Sequence, residues 1–354
     1  MTRARINHPI RIITSTAPIR ICDNGGWTDT WFAKHGKVFN IAVQPRVEVQ
    51  IEVYPCGFGK GPIILFAEDY GERFPVHTGQ SGWKHHPLLE ATIDRIGVPR
   101  DCAIQATVHS EVPGGCSTGT SAAVTVALIG ALNHLQSGRM SPHDVAYAAH
   151  AVEVEMLGQQ SGIQDQLCSA YGGINYIEIA NYPHACVSPI RVPDATLYEL
   201  ERRLALVYLG KSHSSSSVHE RVIAELRKEG PDSKRLQDLR LTAERSRDAL
   251  LAGDLQALGQ AMIDNTDAQR RLHSGLVSHD AQQVMDVAEA FGAVGCKVNG
   301  AGGEGGSVTI LGPALSYVRR EMLRAIEAAG PLFKHIPIRL SHEGLRVWEC
   351  APTT

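Results

Sequence analysis

Residues 113–123 read PGGCSTGTSAA and run straight into an apolar stretch, AVTVALIGALNHL, over 123–135. A turn of glycines and hydroxyls before a helix leaves the first backbone N–H groups of that helix without internal partners, and the aligned peptide dipoles add partial positive charge there. Phosphate can bind at such a start without a dedicated cation. Gly114, Gly115 and Gly119 let the backbone approach a ligand closely, while Ser117, Thr118, Thr120 and Ser121 offer hydroxyls to phosphate oxygens or to a hydrated cation. A glycine/serine loop ahead of a capped helix is also a common structural element, so the rest of the chain decides its meaning.

A chain of 354 residues favours two domains. Its 43% hydrophobic and 20% charged content is that of an ordinary globular protein. A net charge of -3 gives no electrostatic reason to expect nucleic acid or an anionic membrane as partner. The opening, MTRARINHPIRIITSTAPIR, mixes Arg3, Arg5 and Arg11 with polar residues and has no long apolar core. Neither a signal peptide nor a membrane helix is expected there, which implies a cytoplasmic protein. The eight cysteines are scattered without a C-x-x-C pair, so they are expected to be reduced and mostly buried, with no zinc knuckle or disulfide framework. His219-Glu220 and His342-Glu343 lack a second histidine four residues on, so the zinc-protease helix motif is absent.

Runs of β-branched residues predict strands over 10–13, 38–43, 47–54 and 63–66, the third alternating as VEVQIEVY. A helix follows over 88–96, a strand over 103–109, then the glycine loop with its helix. Residues 144–157 predict a further helix ending at Gly158, and GGINYIEI a strand. A proline-punctuated passage over 182–192 marks a boundary, giving domains 1–193 and 194–354. The second half opens with the strand LALVYLG and continues through amphipathic helices near 217–229, 234–252, 254–273 and 279–292. It closes with a second glycine run, the strand SVTILG, a helix over about 314–329 and two short strands. Without the regular βαβ rhythm of a doubly wound sheet, the pattern implies two α+β domains.

Four further segments carry chemistry-bearing residues. APIRICDNGGWTDT puts Arg20 at a strand end, then Asp23, Asn24, Trp27, Thr28 and Asp29 around glycines, a set suited to a polyhydroxylated ligand: carboxylates accept hydroxyl hydrogen bonds and an aromatic face packs on C–H surface. QQSGIQDQ sets Asp165 at a loop leading into a helical turn; of the upstream Glu153 and Glu155, two apart on a helix, only one can face the same cleft. KSHSSSSVHE, 211–220, follows a strand, and its serines Ser214 to Ser217 suit phosphate or sugar contact as well as an exposed loop. NGAGGEGG, 299–306, formally matches G-x-G-x-x-G but precedes the strand SVTIL, so it is a close-packing hairpin turn and not a dinucleotide fingerprint. No Walker A loop occurs.

Taken in order, APIRI...GGWTDT, PGGCSTGTSAA, QSGIQDQ...YGG and NGAGGEGG resemble the three-motif pattern of the GHMP small-molecule kinases, and the resemblance spans nearly the whole chain. Within that family GGWTDT and GIQDQ look most like the branch holding D-glycero-D-manno-heptose 7-phosphate kinase and the kinase domain of fucokinase, whose members phosphorylate an anomeric hydroxyl. The resemblance implies a ribosomal protein S5 domain 2-like N-terminal domain joined to a ferredoxin-like C-terminal domain with added helices, ATP and Mg²⁺ as cofactors, and a sugar or sugar phosphate as substrate. It implies no nucleic-acid or membrane partner and allows a homodimer.

Carried over by position, the family loop P-x-x-x-G-L-G-S-S-A matches at Pro113, Gly119, Ser121 and Ala122, with Ser117, Thr118 and Thr120 standing for glycine, leucine and serine. The nucleotide loop is then Pro113, Gly114, Gly115, Cys116, Ser117, Thr118, Gly119, Thr120 and Ser121. Either Thr120 or Ser121 can supply the magnesium ligand, and Ser121 is favoured. The family's magnesium-binding glutamate falls on Glu153. Asp165 matches the aspartate beside the attacking hydroxyl, Arg20 the basic residue near it, and Asp29 a sugar-binding aspartate. The sugar positions are Asp23, Gly26, Trp27, Thr28, Asp29, Gly162, Gly302 and Gly303. Glu304 departs from the family's usual glycine.

The resemblance implies first a kinase of the anomeric hydroxyl of D-glycero-D-manno-heptose 7-phosphate; the alternatives are the same chemistry on a free sugar such as fucose or another hexose or pentose, and a non-catalytic sensor of sugar and nucleotide. A cationic site for a remote phosphate separates the first two, with Arg46, Lys34, Lys37 and Lys211 as its candidates.

Overall fold

Two long strands organise the chain. The computed structural model describes residues 8–56, 63–79, 82–211 and 217–350, Ser217 through its backbone alone. Residues 1–7 of the opening segment and Ser214, Ser215 and Ser216 of the serine run lie outside them. In chain order the N-terminal half forms β1 (Arg11–Asn24), β2 (Gly36–Pro55), β3 (Ile63–Ala67), β4 (Glu72–Pro75), α1 (Pro87–Ile96), β5 (Cys102–Ser110), α2 (Thr120–Leu135), α3 (Pro142–Ala151), α4 (Gln164–Tyr171), β6 (Ile174–Asn181) and β7 (His184–Pro189). The rest forms α5 (Asp194–Arg203), β8 (Leu204–Tyr208), α6 (Ser217–Glu229), α7 (Lys234–Leu251), α8 (Leu255–Leu272), α9 (His279–Ala290), β9 (Gly295–Val298), β10 (Ser307–Leu311), α10 (Ser316–Ala329), β11 (Lys334–Ile336), β12 (Arg339–Leu340) and β13 (Arg346–Cys350).

The expected strands at 38–43 and 47–54 are one strand. β2 pairs with β1 along its length, and the register slips between Pro18↔Arg46 and Ile19↔Val43, leaving Gln44 and Pro45 unmatched. Proline has no N–H for a ladder bond, so a bulge is where it is tolerated. The bulge bends β2, which meets β6 before it and β5 after it. β1 is also longer than its β-branched opening suggested, because it lies between β2 and β13 and is buried almost throughout.

The larger sheet runs β13-β1-β2-β5-β3-β4, with β6, β7 and β12 joined through β2; the smaller runs β11-β8-β10-β9. The passage expected as a boundary forms part of the β6–β7 hairpin, and the chain crosses the 193/194 division again at its end, where three short strands replace the expected two. β11 stays in the smaller sheet, while β12 and β13 return to β2 and β1. Arg46 ties this return, donating to Thr16, to Ser341 Oγ at 2.7 Å and to the carbonyls of Glu343 and Gly344.

α2 is apolar nearly all round and packs on β1 and β2, as a fully buried helix should. Burying Val126, Leu128, Ile129 and Leu132 contributes roughly 1.5–3 kcal/mol each relative to exposure. α7 and α8 form a hairpin, with α7 on β2 and α8 between β9 and β1, which joins the two sheets. Four cysteines are buried, Cys56, Cys186 and Cys350 are exposed and Cys102 is intermediate; all eight are free thiols, so burial is less general than expected. No helix among the described residues is long and apolar enough to cross a membrane.

Candidate active site

Gly119 caps α2 in the left-handed region at φ 69°, with no side chain folded onto the helix start, so the N–H groups of the first turn face outward. The loop before it is fixed from both sheets. Ser307 Oγ on β10 donates to Cys116 O at 2.6 Å, Arg20 N on β1 donates to Thr118 O at 2.9 Å, and Arg20 Nη1 donates to Ser117 O at 2.5 Å. Ser117 itself has φ 58°, and a Cβ on Gly306 would fall 2.7 Å from its Oγ, which is why the second glycine run can close over the loop.

The remaining Arg20 donors reach Asp165, Nε to Oδ1 at 2.7 Å and Nη2 to Oδ2 at 3.1 Å, a two-pronged pair in which Arg20 is buried and Asp165 is partly open. Burial opposes the guanidinium charge, but Asp165 and Asp23 outweigh it and hold Arg20 above its ordinary range. Arg20 and Asp23 face the same cleft although they are three apart on a strand. Cys22 between them has φ 54° and the register slips after Ile21, which breaks the alternation.

Arg20, Asp165, Gly300 and Ala301 line two cavities at once. The larger, about 820 Å³, takes in the whole loop from Pro113 to Ser121 and ends in an apolar slot of Tyr70, His86, Leu88, Leu89, Val108 and Val124. The smaller, about 260 Å³, is lined by Asp23, Asp29, Gln160, Ser161, Gly162 and Gln164 on one side. Its other side is Trp27, Trp31, Phe32, His219 and Ile223, with Trp27 and His219 edge to face at 5.7 Å between centroids. Asp29 Oδ2 accepts from Gln164 N at 3.1 Å; burial pushes its carboxyl up to about 6, against that hydrogen bond.

Glu153 lies on a π-helical turn, Val152–Met156, that ends the expected 144–157 helix after α3. It is buried, whereas Glu155 points out and pairs with Arg95. Glu153 Oε2 accepts from Ser161 Oγ at 2.6 Å and Gln166 Nε2 at 2.9 Å, while its buried Oε1 has no partner among the described residues. Burial pushes this carboxyl up to about 7, against the Ser161 hydrogen bond and reinforced by the charge of Asp165. An orphaned carboxylate oxygen is one that a cation could fill, but Glu153 lines neither cavity, whereas Ser121 lies exposed on the larger one. No cluster of three metal-binding side chains occurs among the described residues, but Mg²⁺ bound through one carboxylate and nucleotide phosphates does not need one.

The family model for the GHMP kinases N terminal domain matches residues 86–173. A mevalonate kinase of Pyrococcus horikoshii is 30% identical over 298 residues, covering 81% of this chain and 79% of that one. The chain belongs to the GHMP kinases. A D-glycero-alpha-D-manno-heptose 7-phosphate kinase of Campylobacter jejuni is 25% identical over 241 residues, 68% of this chain and 69% of its own. Among solved structures, a D-glycero-D-manno-heptose 1-phosphate kinase from Bacteriodes thetaiotaomicron superposes with a TM-score of 0.74 at 19% identity, covering 95% of this chain and 98% of that one. The galactokinase of Lactococcus lactis, solved with galactose, gives 0.74 at 15% identity and covers 95% of each chain. These two share the fold. Family membership makes the protein a phosphotransferase and implies ATP as its phosphoryl donor.

Within this kinase the expected sugar positions divide. Asp23, Trp27, Asp29 and Gly162 line the smaller cavity; Gly26, Thr28, Gly302 and Gly303 do not. Thr28 Oγ1 donates to Gly25 O at 2.7 Å and accepts from Lys37 N, stapling its own turn. Gly302 abuts Leu276, where a Cβ would fall 2.2 Å from the carbonyl oxygen, and Gly303 N donates to that same oxygen. The two glycines shape the turn, while Gly300 and Ala301 line both cavities. Glu304 is exposed. The cations weighed for a remote phosphate also fall elsewhere: Arg46 grips the returning chain end, Lys37 pairs with Glu244, Lys211 pairs with Asp280 at 2.8 Å, and Lys34 lines neither cavity. Trp31 and Phe32, in the turn just past GGWTDT, were missed, as were His219 and Ile223 on α6 and Lys297 on β9, whose segments carry only amphipathic or strand pattern.

Proposed function

We propose that this kinase transfers the γ-phosphoryl group of ATP to the anomeric hydroxyl of a sugar that carries no second anionic group. The observation that carries the reading is the meeting of the two cavities at Arg20 and Asp165. One cavity suits a nucleotide, with a helix start for phosphates and an apolar slot for a base. The other suits a small polyol, with carboxylates and amides facing an aromatic wall.

Among the described residues of the smaller cavity, Arg20 is the sole lysine or arginine, and it is shared with Asp165 and Asp23. Burial lowers the pKa of His219, against the contact of its Nε2 with Gly302 O at 3.0 Å. A carboxylate or phosphate on the substrate would add negative charge beside Asp23 and Asp29, with no lysine or arginine but the shared Arg20 to meet it among the described residues of the cavity. A second reading, D-glycero-D-manno-heptose 7-phosphate, is supported by the likeness to the Campylobacter jejuni kinase of that name.

Phosphoryl transfer passes through a loose transition state, so alignment and charge stabilisation carry the catalysis. In this reading the amides of the 113–121 loop cradle the nucleotide phosphates. Asp165 orients the sugar hydroxyl and accepts its proton, and Arg20 offsets charge on the transferred group. Ser121 and Glu153 would hold Mg²⁺, whose bound charge offsets that of the phosphates.

The test is ATP consumption with Mg²⁺ across free sugars, sugar phosphates and mevalonate, with the phosphorylated carbon assigned by phosphorus and proton NMR. A C1 phosphate of a free sugar is the expected product. Turnover confined to the heptose 7-phosphate selects the second reading, and turnover on mevalonate alone defeats both.

A further inference from the structure

Gly300 is the one residue of the second glycine run whose peptide is gripped on both sides while it lines both cavities. Its N–H donates to both Asp23 oxygens, at 3.1 and 3.0 Å, and its carbonyl accepts from Gln269 Nε2 on α8 at 3.0 Å. Between Asp23 and Gln269 lies Lys297 of β9, 1% exposed, with Nζ 3.2 Å from Asp23 Oδ1, 3.3 Å from Gln269 Oε1 and bonded to Val298 O. Three acceptors fill the three donors of the ammonium, so this buried charge is fully partnered. Asp23 Oδ2 in turn stands 3.8 Å from Arg20 Nη2.

We propose that Lys297 is a positioning residue for phosphoryl transfer: through Asp23 and Gln269 it fixes the Gly300 peptide and the Arg20 guanidinium at the meeting point of the two cavities. Asp23 is then a part of this clamp more than a ligand of the sugar. The proposal rests on the function proposed above, in that Arg20 acts on the transferred group.

The charges make the case sharper. Arg20 and Lys297 face Asp23 and Asp165, so the four sum to zero. Without Lys297, Arg20 is shared between two carboxylates and the cleft is left net negative where phosphate oxygens must arrive. Burial acts on the ammonium too, lowering its pKa against the pull of Asp23. A contact that merely glued β9 to β1 would affect melting and leave turnover per folded molecule alone.

Lys297→Met leaves Asp23 buried with one cation fewer and is expected to melt lower. The pair Asp23→Asn with Lys297→Met removes both charges and is expected to melt close to the parent, because deleting a whole buried pair is far milder than deleting half of it. Steady-state kinetics on the sugar identified for the parent enzyme then decide. In the double variant Arg20 and Asp165 still balance in charge, so the readout is the lost hold on Gly300 and Arg20: kcat is expected to fall about 10–100-fold, the scale for a lost preorganised contact, with KM for sugar within about threefold. Full kcat in a folded double variant overturns the proposal, as does a loss that lies wholly in KM for sugar, which would return Asp23 to direct substrate binding. Failure of the parent enzyme on every sugar would instead defeat the proposed function, so the two failures are distinguishable.

Discussion

Replacing Gly162 with alanine isolates the sugar side of the site. Gly162 has no left-handed φ, so alanine fits its backbone, but the new Cβ would fall 2.0 Å from Asp29 Oδ2 and 2.6 Å from its Cγ. Ordinary contact begins near 3.4 Å, so the carboxylate must retreat by about 1.4 Å. Asp29 is 3% exposed and its Oδ2 holds Gln164 N, the amide at the start of α4 one residue before Asp165. The retreat therefore moves the proposed sugar acceptor and loosens the turn that aims Asp165, the proposed catalytic carboxylate. A misplacement near 1 Å can cost about 10²-fold, so kcat/KM for sugar is expected to fall by about that factor, roughly 2.7 kcal/mol of transition-state stabilisation. Gly162 does not line the nucleotide cavity, so KM for ATP is expected to stay within about twofold. Steady-state kinetics with each substrate varied in turn, together with a melting curve, provide the assay. Sugar kcat/KM within about threefold of the parent, in a variant that melts normally, would refute the reasoning.

Asp165→Ala is expected to lower kcat by about 10²-fold or more while ATP still binds, which product assays and nucleotide titration read separately; turnover near the parent's would remove Asp165 from its role. Asp29 supplies the pH dependence. Its folded pKa, about 6, lies above the ordinary carboxyl value, so the folded state holds this proton more tightly than the unfolded chain does. The associated stabilisation is fully present below the unfolded pKa near 3.8 and is lost as pH rises through about 6. Asp29→Asn is therefore expected to raise the melting temperature relative to the parent at pH 8 more than at pH 4. It is also expected to abolish a weakening of sugar affinity below pH 6 that the parent shows as its acceptor protonates; a parent affinity flat from pH 5 to 8 would contradict this assignment.

What the sequence revealed and what it hid divide along a physical line. The 113–121 loop was legible because glycine, hydroxyl and helix-start chemistry are local: the turn, the left-handed Gly119 and the open amides all follow from neighbouring residues. The choice of Glu153 over Glu155 came from the family resemblance, and local periodicity added only that the two point apart; the structure buries the first and exposes the second. Arg46 misled because a cation near ligand loops in sequence says nothing of which carbonyls will claim it. Lys297 was invisible because nothing local in GCKV marks it, and only the approach of β9 to β1 and α8 brings it Asp23 and Gln269. Trp31, Phe32, His219 and Ile223 form one wall only after α6 folds against the loop following β1.

The same division explains why the proposed reaction centre lies at the meeting of the two sheets. β1 brings Arg20 and Asp23, the 113–119 loop brings the helix start, and β9, β10 and the turn between them bring Lys297, Ser307 and Gly300. Each segment alone would present charges or bare amides to water, where interactions among them are weak; packed together they leave the solvent and act at a lower dielectric. The ties that assemble them are themselves polar, Ser307 to Cys116 O, Asp23 to Gly300 N and Arg20 to Ser117 O, so groups proposed to act in transfer are also fasteners of the cleft. Substitutions at Arg20 or Asp23 thus move stability and turnover together, whereas Gly162, which packs on Asp29 without joining these ties, separates the two.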